Sequence, residues 1–549
     1  MTSFVERMIE SWLDSQTERR YQPAFIQLLV SEGWSVLHNT RHSPIEFGKD
    51  VIARDPKGVL HCFQLKSNPG SRLTKSEAQR ILPQLVELLD LEPASLYRAS
   101  AQERHIAVLV TNGEVDEEAR LMFEAAAART KRRSCPARRF ELWSRGPLLS
   151  RFLSCAGKVW PTSVEGARQV LDLMTEDGRA HPDPKAISRT FAAVAPAPSR
   201  KTSSASKASS LASLLLLAEI VKSPWYAADN HYGLYMISVL ASVHALRFAD
   251  SAKRLSTVTQ YADLCLEHCA DLLVEAKASN FDPDLVWAQS DVPSEFDVMW
   301  ERRRLVGDCA ATLVLGERPH VHYDAKYAAN LIIASFARPR FWGFGAVPAL
   351  MVRYWAACRI HAGSDLEITF GRHLHTILEA SLGQLHGVSP LASPYYGFID
   401  CWAFSKNIRH FADDEIFSDS FVRRIWFGRA MFFMLAKRNL KRTCKQIWPL
   451  FTRVVHEEPG LPSATFFDSL LAKDGEMHTY TFHRKNWNEL VREAVDSCDG
   501  EFLSSFSALA WLIAAYVAIV PYRAWTGVLM WLDDTLNKTW YRQDYLPLP

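Results

Sequence analysis

Residues 47–66 read FGKDVIARDPKGVLHCFQLK, and the fold of the N-terminal part turns on them. Phe47 to Ala53 and Val59 to Lys66 are apolar-rich runs of strand length, separated by the turn residues Asp55-Pro56-Lys57-Gly58, so the stretch is expected to form a β-hairpin. Side chains alternate along a strand, which puts Gln64 and Lys66 on one face and Phe63 and Leu65 on the other. With Pro56 and Lys57 at the tip, opposed positions have numbers summing to about 113, so Asp50 falls across from Phe63 and within one residue of Gln64. An Asp, a Gln carbonyl and a Lys ammonium thus converge near the open end of the hairpin. Hard oxygen donors of this kind suit Mg²⁺ or Mn²⁺. An ion held there polarises a water against a phosphate, and the Lys assists the nucleophile or offsets the charge that develops.

The flanking residues extend the pattern. Phe4, Val5, Met8, Ile9, Trp12 and Leu13 recur at helical spacing. A second helix is expected to start at Pro23, a favoured first-turn residue, and to stop near Gly33, followed by a short strand over Trp34 to His38. After the hairpin, Lys75 to Leu91 reads as helix and Ile106 to Val110 as a buried central strand. Glu117 to Arg129 reads as helix again and Arg139 to Trp143 as a last strand. The element order is α-β-β-β-α-β-α-β.

Within that order, Gly48-Lys49-Asp50 and then Gln64-Leu65-Lys66 resemble the core of PD-(D/E)XK nucleases in the Mrr-like variant, whose usual acid is replaced by Gln. Val108-Leu109-Val110-Thr111-Asn112-Gly113 resembles the strand and Thr/Asn turn that follow the catalytic hairpin in Mrr-like restriction enzymes. The resemblance covers residues 18 to 153 of 549. It implies a restriction-endonuclease-like αβββαβ core and a DNA endonuclease acting in bacterial defence against foreign DNA such as phage. By the same resemblance Asp50 and Gln64 hold Mg²⁺ or Mn²⁺ and Lys66 assists the attacking water. Such enzymes carry a Glu on the first core helix. Counting back from Gly33 gives Gln22 in its place, with Glu18 a turn earlier, so either Glu18 or Gln22 completes the set.

Charge adds a phosphate-facing candidate. The whole chain is balanced, with 63 Lys+Arg against 61 Asp+Glu, so any nucleic-acid surface must come from local clustering. Arg129, Lys131, Arg132, Arg133, Arg138, Arg139, Arg145 and Arg151 face one acid, Glu141, in a run able to neutralise phosphates. A solvated basic loop without a ligand is the alternative. A rival function is a non-catalytic scaffold that docks nucleic acid or protein through this run, on a degenerate nuclease fold.

At 549 residues the chain has room for about three domains. Residues 1–155 form the nuclease-like domain. Residues 156–210 form a connector, in which Ala193 to Ser210 (AVAPAPSRKTSSASKASS) reads as a flexible linker. Residues 211–549 are expected to be all-α, because long apolar runs such as Leu234 to Phe248 and Phe421 to Leu435 lack strand alternation. That region is expected to regulate, sense or assemble, with an unidentified protein or ligand as partner or as the interface of a homo-oligomer. Phe502 to Tyr522 has no charge and the length of a membrane span, but its three Ser and its Pro favour a buried helix.

Other signals are weaker. Ten cysteines contain no CxxC pair, and no second cluster supplies the remaining ligands that Cys265, His268 and Cys269 would need for a closed zinc site, so packing in a reducing cytoplasm is the expectation. Met1 to Arg7 has no apolar secretory core. The pairs His320/His322 and His373/His375 are expected on helices, where positions two apart diverge. No GxxxxGK[ST], GxSxG or HExxH motif occurs, which argues against a phosphate-binding loop, a serine-hydrolase elbow or a metalloprotease.

Overall fold

In the computed structural model the described residues are all but 1–3, 40–47, 94–102, 133, 160–163, 200, 280–294, 338–345, 362–363, 383–423, 460–469, 472–476, 484, 498–503 and 538–549. The chain is mixed α/β and mostly helical. It divides into two units, one made of Met1–Ala180, Arg189–Asp229 and Phe248–Thr257, the other of His181–Ser188, Asn230–Arg247 and Val258–Pro549.

The first unit begins with α1 (Phe4–Ser15) and α2 (Glu18–Ser31), followed by β1 (Ser35–Asn39), β2 (Val51–Arg54) and β3 (Leu60–Lys66). A two-residue strand, β4 (Arg72–Leu73), leads into α3 (Lys75–Asp90). Next come β5 (His105–Thr111), β6 (Glu114–Val115), α4 (Glu117–Ala127), β7 (Ala137–Trp143), α5 (Arg145–Val159) and α6 (Val164–Met174). The main sheet has the order β1-β2-β3-β5-β7, antiparallel across β1-β2-β3 and parallel across β3-β5-β7. The two parallel steps are carried by α3 and α4, as the sequence order demands. β4 and β6 pair separately.

Both faces of the sheet are covered. Ile52, Leu60, Cys62, Ala107 and Leu109 pack with Leu85, Leu88 and Leu89 of α3 and with Ala119 and Phe123 of α4. The other face carries a ring cluster: Phe63 meets Phe25 of α2 at 5.3 Å, Trp143 at 5.4 Å and Trp34 at 5.7 Å. Burial on both faces explains why β5 reads as a continuous apolar run.

Three sequence expectations shift here. First, α2 starts at Glu18, with Thr17 at its N-cap in an extended conformation, and Pro23 lies inside the helix. A proline six positions in removes one backbone hydrogen bond, a cost of about 3 kcal/mol or more that burial of Tyr21, Ala24, Phe25 and Leu28 outweighs. Second, Ala193–Ser210 is not linker throughout. Residues expected as a linker are helical at both ends, in α7 (Pro184–Val194) and α8 (Ser204–Val221), and α8 packs on α2 and α5. It is apolar on all sides from Leu211 onward, and a helix of that kind needs cover all round. Third, the C-terminal region is not all-α. Beside its helices the second unit holds a sheet of Arg424–Trp426, Val455–Pro459 and Met477–Tyr480. These strands are three to five residues long, and two adjacent glutamates interrupt the middle one, so no alternation marked them.

The charge-free run Phe502 to Tyr522 is broken among its described residues into Ser504–Leu509, Ala510–Ile519 and Pro521–Arg523, with Ala510–Val517 buried. Among the described residues one stretch, Ser204–Ala227, is long and apolar enough to cross a membrane by length and composition, and 56% of its most apolar window is buried.

Candidate active site

The hairpin sets the geometry. Gly58 takes φ +81 at the tip and donates to Asp55 O at 2.8 Å, while Asp55 Oδ1 accepts from the backbone of Lys57 and Val59. This tip is one residue longer than the expected Pro56-Lys57 turn and pairs Val51 with Phe63 and Arg54 with Leu60, so opposed numbers sum to 114. The register is one position beyond the sequence estimate, and Asp50 therefore stands across from Gln64 itself. Gly48 just upstream has φ +65, and a Cβ there would lie 2.5 Å from Gln84 O of α3. Only glycine lets the chain enter β2 so close to that helix.

Asp50 is 1% exposed and Gln64 3%. Asp50 Oδ2 accepts from Gln64 Nε2 at 2.7 Å and from Leu65 N at 2.5 Å. Gln64 Oε1 is buried and makes no hydrogen bond. A buried amide oxygen left alone costs about 1–3 kcal/mol, so its presence asks for a reason. Lys66, at the end of the same strand, extends Nζ to Glu18 of α2, 3.1 Å from Oε2 and 3.3 Å from Oε1. Gln22 lies one turn further along α2, buried.

Tyr21, on the same helix, links the two pairs. Its hydroxyl donates toward Lys66 O at 3.1 Å, with Val110 O at 3.4 Å. Burial first, then the negative charges of Glu18 and Asp50, push its phenol well above the ordinary tyrosine pKa. Both carboxylates thus act on one buried hydroxyl. Sequence reading passed over Tyr21, although its place three residues after Glu18 puts it on the same helical face.

Asn112 holds the frame. Its amide nitrogen donates to Leu13 O and Gln16 O, each at 2.8 Å, and its Oδ1 accepts from Asn68 N at 2.8 Å. One buried side chain therefore joins the end of α1 to the exit of β3, on either side of the Glu18–Lys66 contact. Lys66 itself is paired in register with Thr111 of β5.

The donor set fits a hard divalent cation. Asp50 carries a carboxylate and Gln64 a shielded carbonyl oxygen that a half-turn of its amide would present beside Asp50, while Glu18 offers a second carboxylate that is paired with Lys66.

The basic run is largely occupied within the fold. Arg129 pairs with Asp90, Arg139 with Glu141, Arg145 with Glu10 and Asp14, and Arg151 with Glu32. Arg151 also stacks 3.7 Å from the Trp143 ring centre. Lys131, Arg132 and Arg138 are exposed, and Arg133 lies outside the described residues. The paired histidines diverge. His320 lies 3.4 Å from Asp263 in a loop rather than on the expected helix, His373 contacts Phe336 O, and His375 pairs with Glu379. Cys265 and Cys269 are buried thiols.

No family model, curated protein or solved structure matches this chain.

Proposed function

We propose that the first unit is a metal-dependent endonuclease that hydrolyses DNA phosphodiester bonds, of the Mrr-like PD-(D/E)XK kind. The observation that carries this reading is the register that sets Asp50 across from Gln64, with Lys66 two positions on and bound to Glu18. Asp50, Gln64 and Glu18 would hold Mg²⁺ or Mn²⁺, which supplies charge neutralisation at phosphorus and a water of lowered pKa. Lys66 would orient the attacking water with its ammonium and offset charge on the phosphate oxygens. Glu18 holds that ammonium in place, and Tyr21 fixes the backbone of Lys66. Lys131, Arg132 and Arg138 are the exposed cations of the run left to meet the DNA backbone.

The helical second unit is read as the module that governs cleavage, through a sensed protein, a ligand or self-assembly. A role in cytoplasmic antiviral defence follows from the resemblance to Mrr-like enzymes alone.

One observation favours a second reading. Asp50 Oδ2 already accepts two hydrogen bonds, which would serve a purely structural lock at the mouth of a hairpin on a non-catalytic scaffold. The two readings part in one assay. The nuclease nicks or linearises supercoiled plasmid with Mg²⁺ or Mn²⁺ and not with EDTA, and Asp50→Asn abolishes that. The scaffold leaves plasmid intact in every lane, for the full chain and for every variant.

A further inference from the structure

A second set of metal-ligating side chains lies in the other unit. Among the described residues, His231, His268 and Asp271 each offer one ligand atom, and the three atoms lie within 4.8 Å of one another. His231 is the first residue of the helix His231–Leu246, which Asn230 caps through Gly233 N at 2.9 Å. His268 and Asp271 stand three apart on the helix Ala252–Ala278, and that spacing puts both on one face. His268 is buried, while His231 and Asp271 are partly buried. His231 Nδ1 is shielded from solvent and makes no hydrogen bond.

A shielded imidazole nitrogen without a partner is costly, and a bound cation removes that cost. The chemistry of the set is also selective. Two imidazoles and a carboxylate are borderline donors that favour zinc and its first-row neighbours over Mg²⁺, which prefers oxygen. In tetrahedral coordination at about 2.0–2.2 Å the ligand atoms stand roughly 3.3–3.6 Å apart, so the three need to draw in by about 1 Å. His231 opens its helix, where the dipole disfavours a cation, and the negative charge of Asp271 offsets that.

We propose that His231, His268 and Asp271 bind a transition-metal ion of the zinc class. The ion ties the two helices together, and its fourth position is left to water or an incoming ligand. The cysteines flanking His268 in sequence, Cys265 and Cys269, take no part, because the completing ligand comes from another helix. This site is independent of the nuclease reading.

The test uses the full chain, stripped with a chelator and titrated with Co²⁺ while visible absorption is followed. The Asp50→Asn variant, run in parallel, removes any contribution from the N-terminal site. The expected result is one equivalent of Co²⁺ whose visible band survives Asp50→Asn and is displaced by Zn²⁺ but not by excess Mg²⁺. His268→Ala and Asp271→Asn should each weaken binding by more than about a hundredfold, since loss of a mere supporting partner costs roughly 10–100-fold. His268 is buried, so His231→Ala, at a partly buried helix start, guards against simple misfolding and should lose the band while circular dichroism is unchanged. Absence of a Zn²⁺-displaceable band, or a band that persists in His231→Ala or shows intense thiolate charge transfer, would overturn the proposal.

Discussion

Glu18 and Lys66 are 48 positions apart in sequence, yet Lys66 Nζ sits 3.1 Å from Glu18 Oε2. Both side chains keep some solvent contact, at 22% and 15% exposure, so the pair itself contributes little stability. Its consequence is positional, because a flexible ammonium is held at the end of β3 beside Asp50 and Gln64.

Glu18→Gln keeps the shape and removes the charge. Metal-dependent plasmid cleavage should fall by about a hundredfold, the scale of losing one aimed electrostatic contact. The urea midpoint should change little, by less than about 1 kcal/mol of stability. Parallel cleavage rates and unfolding curves check both halves of the expectation.

Asn112→Ala removes three hydrogen bonds at once, two of them fully buried, and takes one donor each from Leu13 O and Gln16 O at the end of α1. A loss of about 2–4 kcal/mol in the unfolding of the first unit is expected. Cleavage should fall beyond what the lost folded fraction explains, because the α1–α2 junction that positions Glu18 is released. Chemical denaturation and rates at a temperature where the variant is fully folded separate the two effects.

Lys49 adjoins Asp50 but turns into the core, fully buried, with Nζ 3.3 Å from Glu87 O. Burial lowers its pKa from 10.5 to about 8. The folded state therefore releases this proton at lower pH than the unfolded chain, so the Lys49 contribution to stability is least favourable below about pH 8. It rises with pH from there to about 10.5, where both states are neutral. Cys62 opposes this trend, since burial pushes its thiol up to about 12. Hence the useful quantity is a difference: Lys49→Met should be the more stable protein at pH 7, and its advantage should shrink by pH 10. An advantage that stays constant across that range would contradict the assignment.

In the second unit, Asp533 is 1% exposed and accepts from Arg438, from Trp355 Nε1 at 2.9 Å and from Asn537 at 2.8 Å. Its charge is the main force holding the Arg438 guanidinium protonated against burial. Asp533→Ala takes the closer of two carboxylates from a buried cation, leaving Glu367 at 3.6 Å, and a loss of about 3 kcal/mol is expected. Differential scanning calorimetry should show that loss in the transition of the second unit.

Much of the first unit was legible because its residues obey short-range rules. The turn Asp55-Pro56-Lys57-Gly58 announced the hairpin, and the doubly buried β5 announced itself as an apolar run. The misreadings came where tertiary packing overrides local preference. Pro23 marked a helix start by its propensity, and packing of Tyr21 and Phe25 kept the helix going through it. The hairpin register slipped by one, because the tip closes through Gly58 at positive φ. The membership of α8 was hidden, since an Ala/Ser/Lys-rich start gives no hint of the apolar half that packs on α2 and α5. Asn112 stood out as part of a Thr/Asn turn, but its reach to Leu13 and Gln16 spans nearly a hundred positions and leaves no local trace. His231 and His268 likewise come together only in the fold.

Under the proposed function Lys66 serves hydrolysis and not merely DNA binding. The measurement is cleavage of supercoiled plasmid in Mg²⁺ and in Mn²⁺, paired with DNA binding in Ca²⁺, for the wild-type chain and Lys66→Ala. Metal-dependent nicking that disappears in Lys66→Ala, with DNA affinity unchanged within a few fold, is the predicted result. Nicking by Lys66→Ala at the wild-type rate, or no metal-dependent nicking by either the full chain or residues 1–229, would contradict the account.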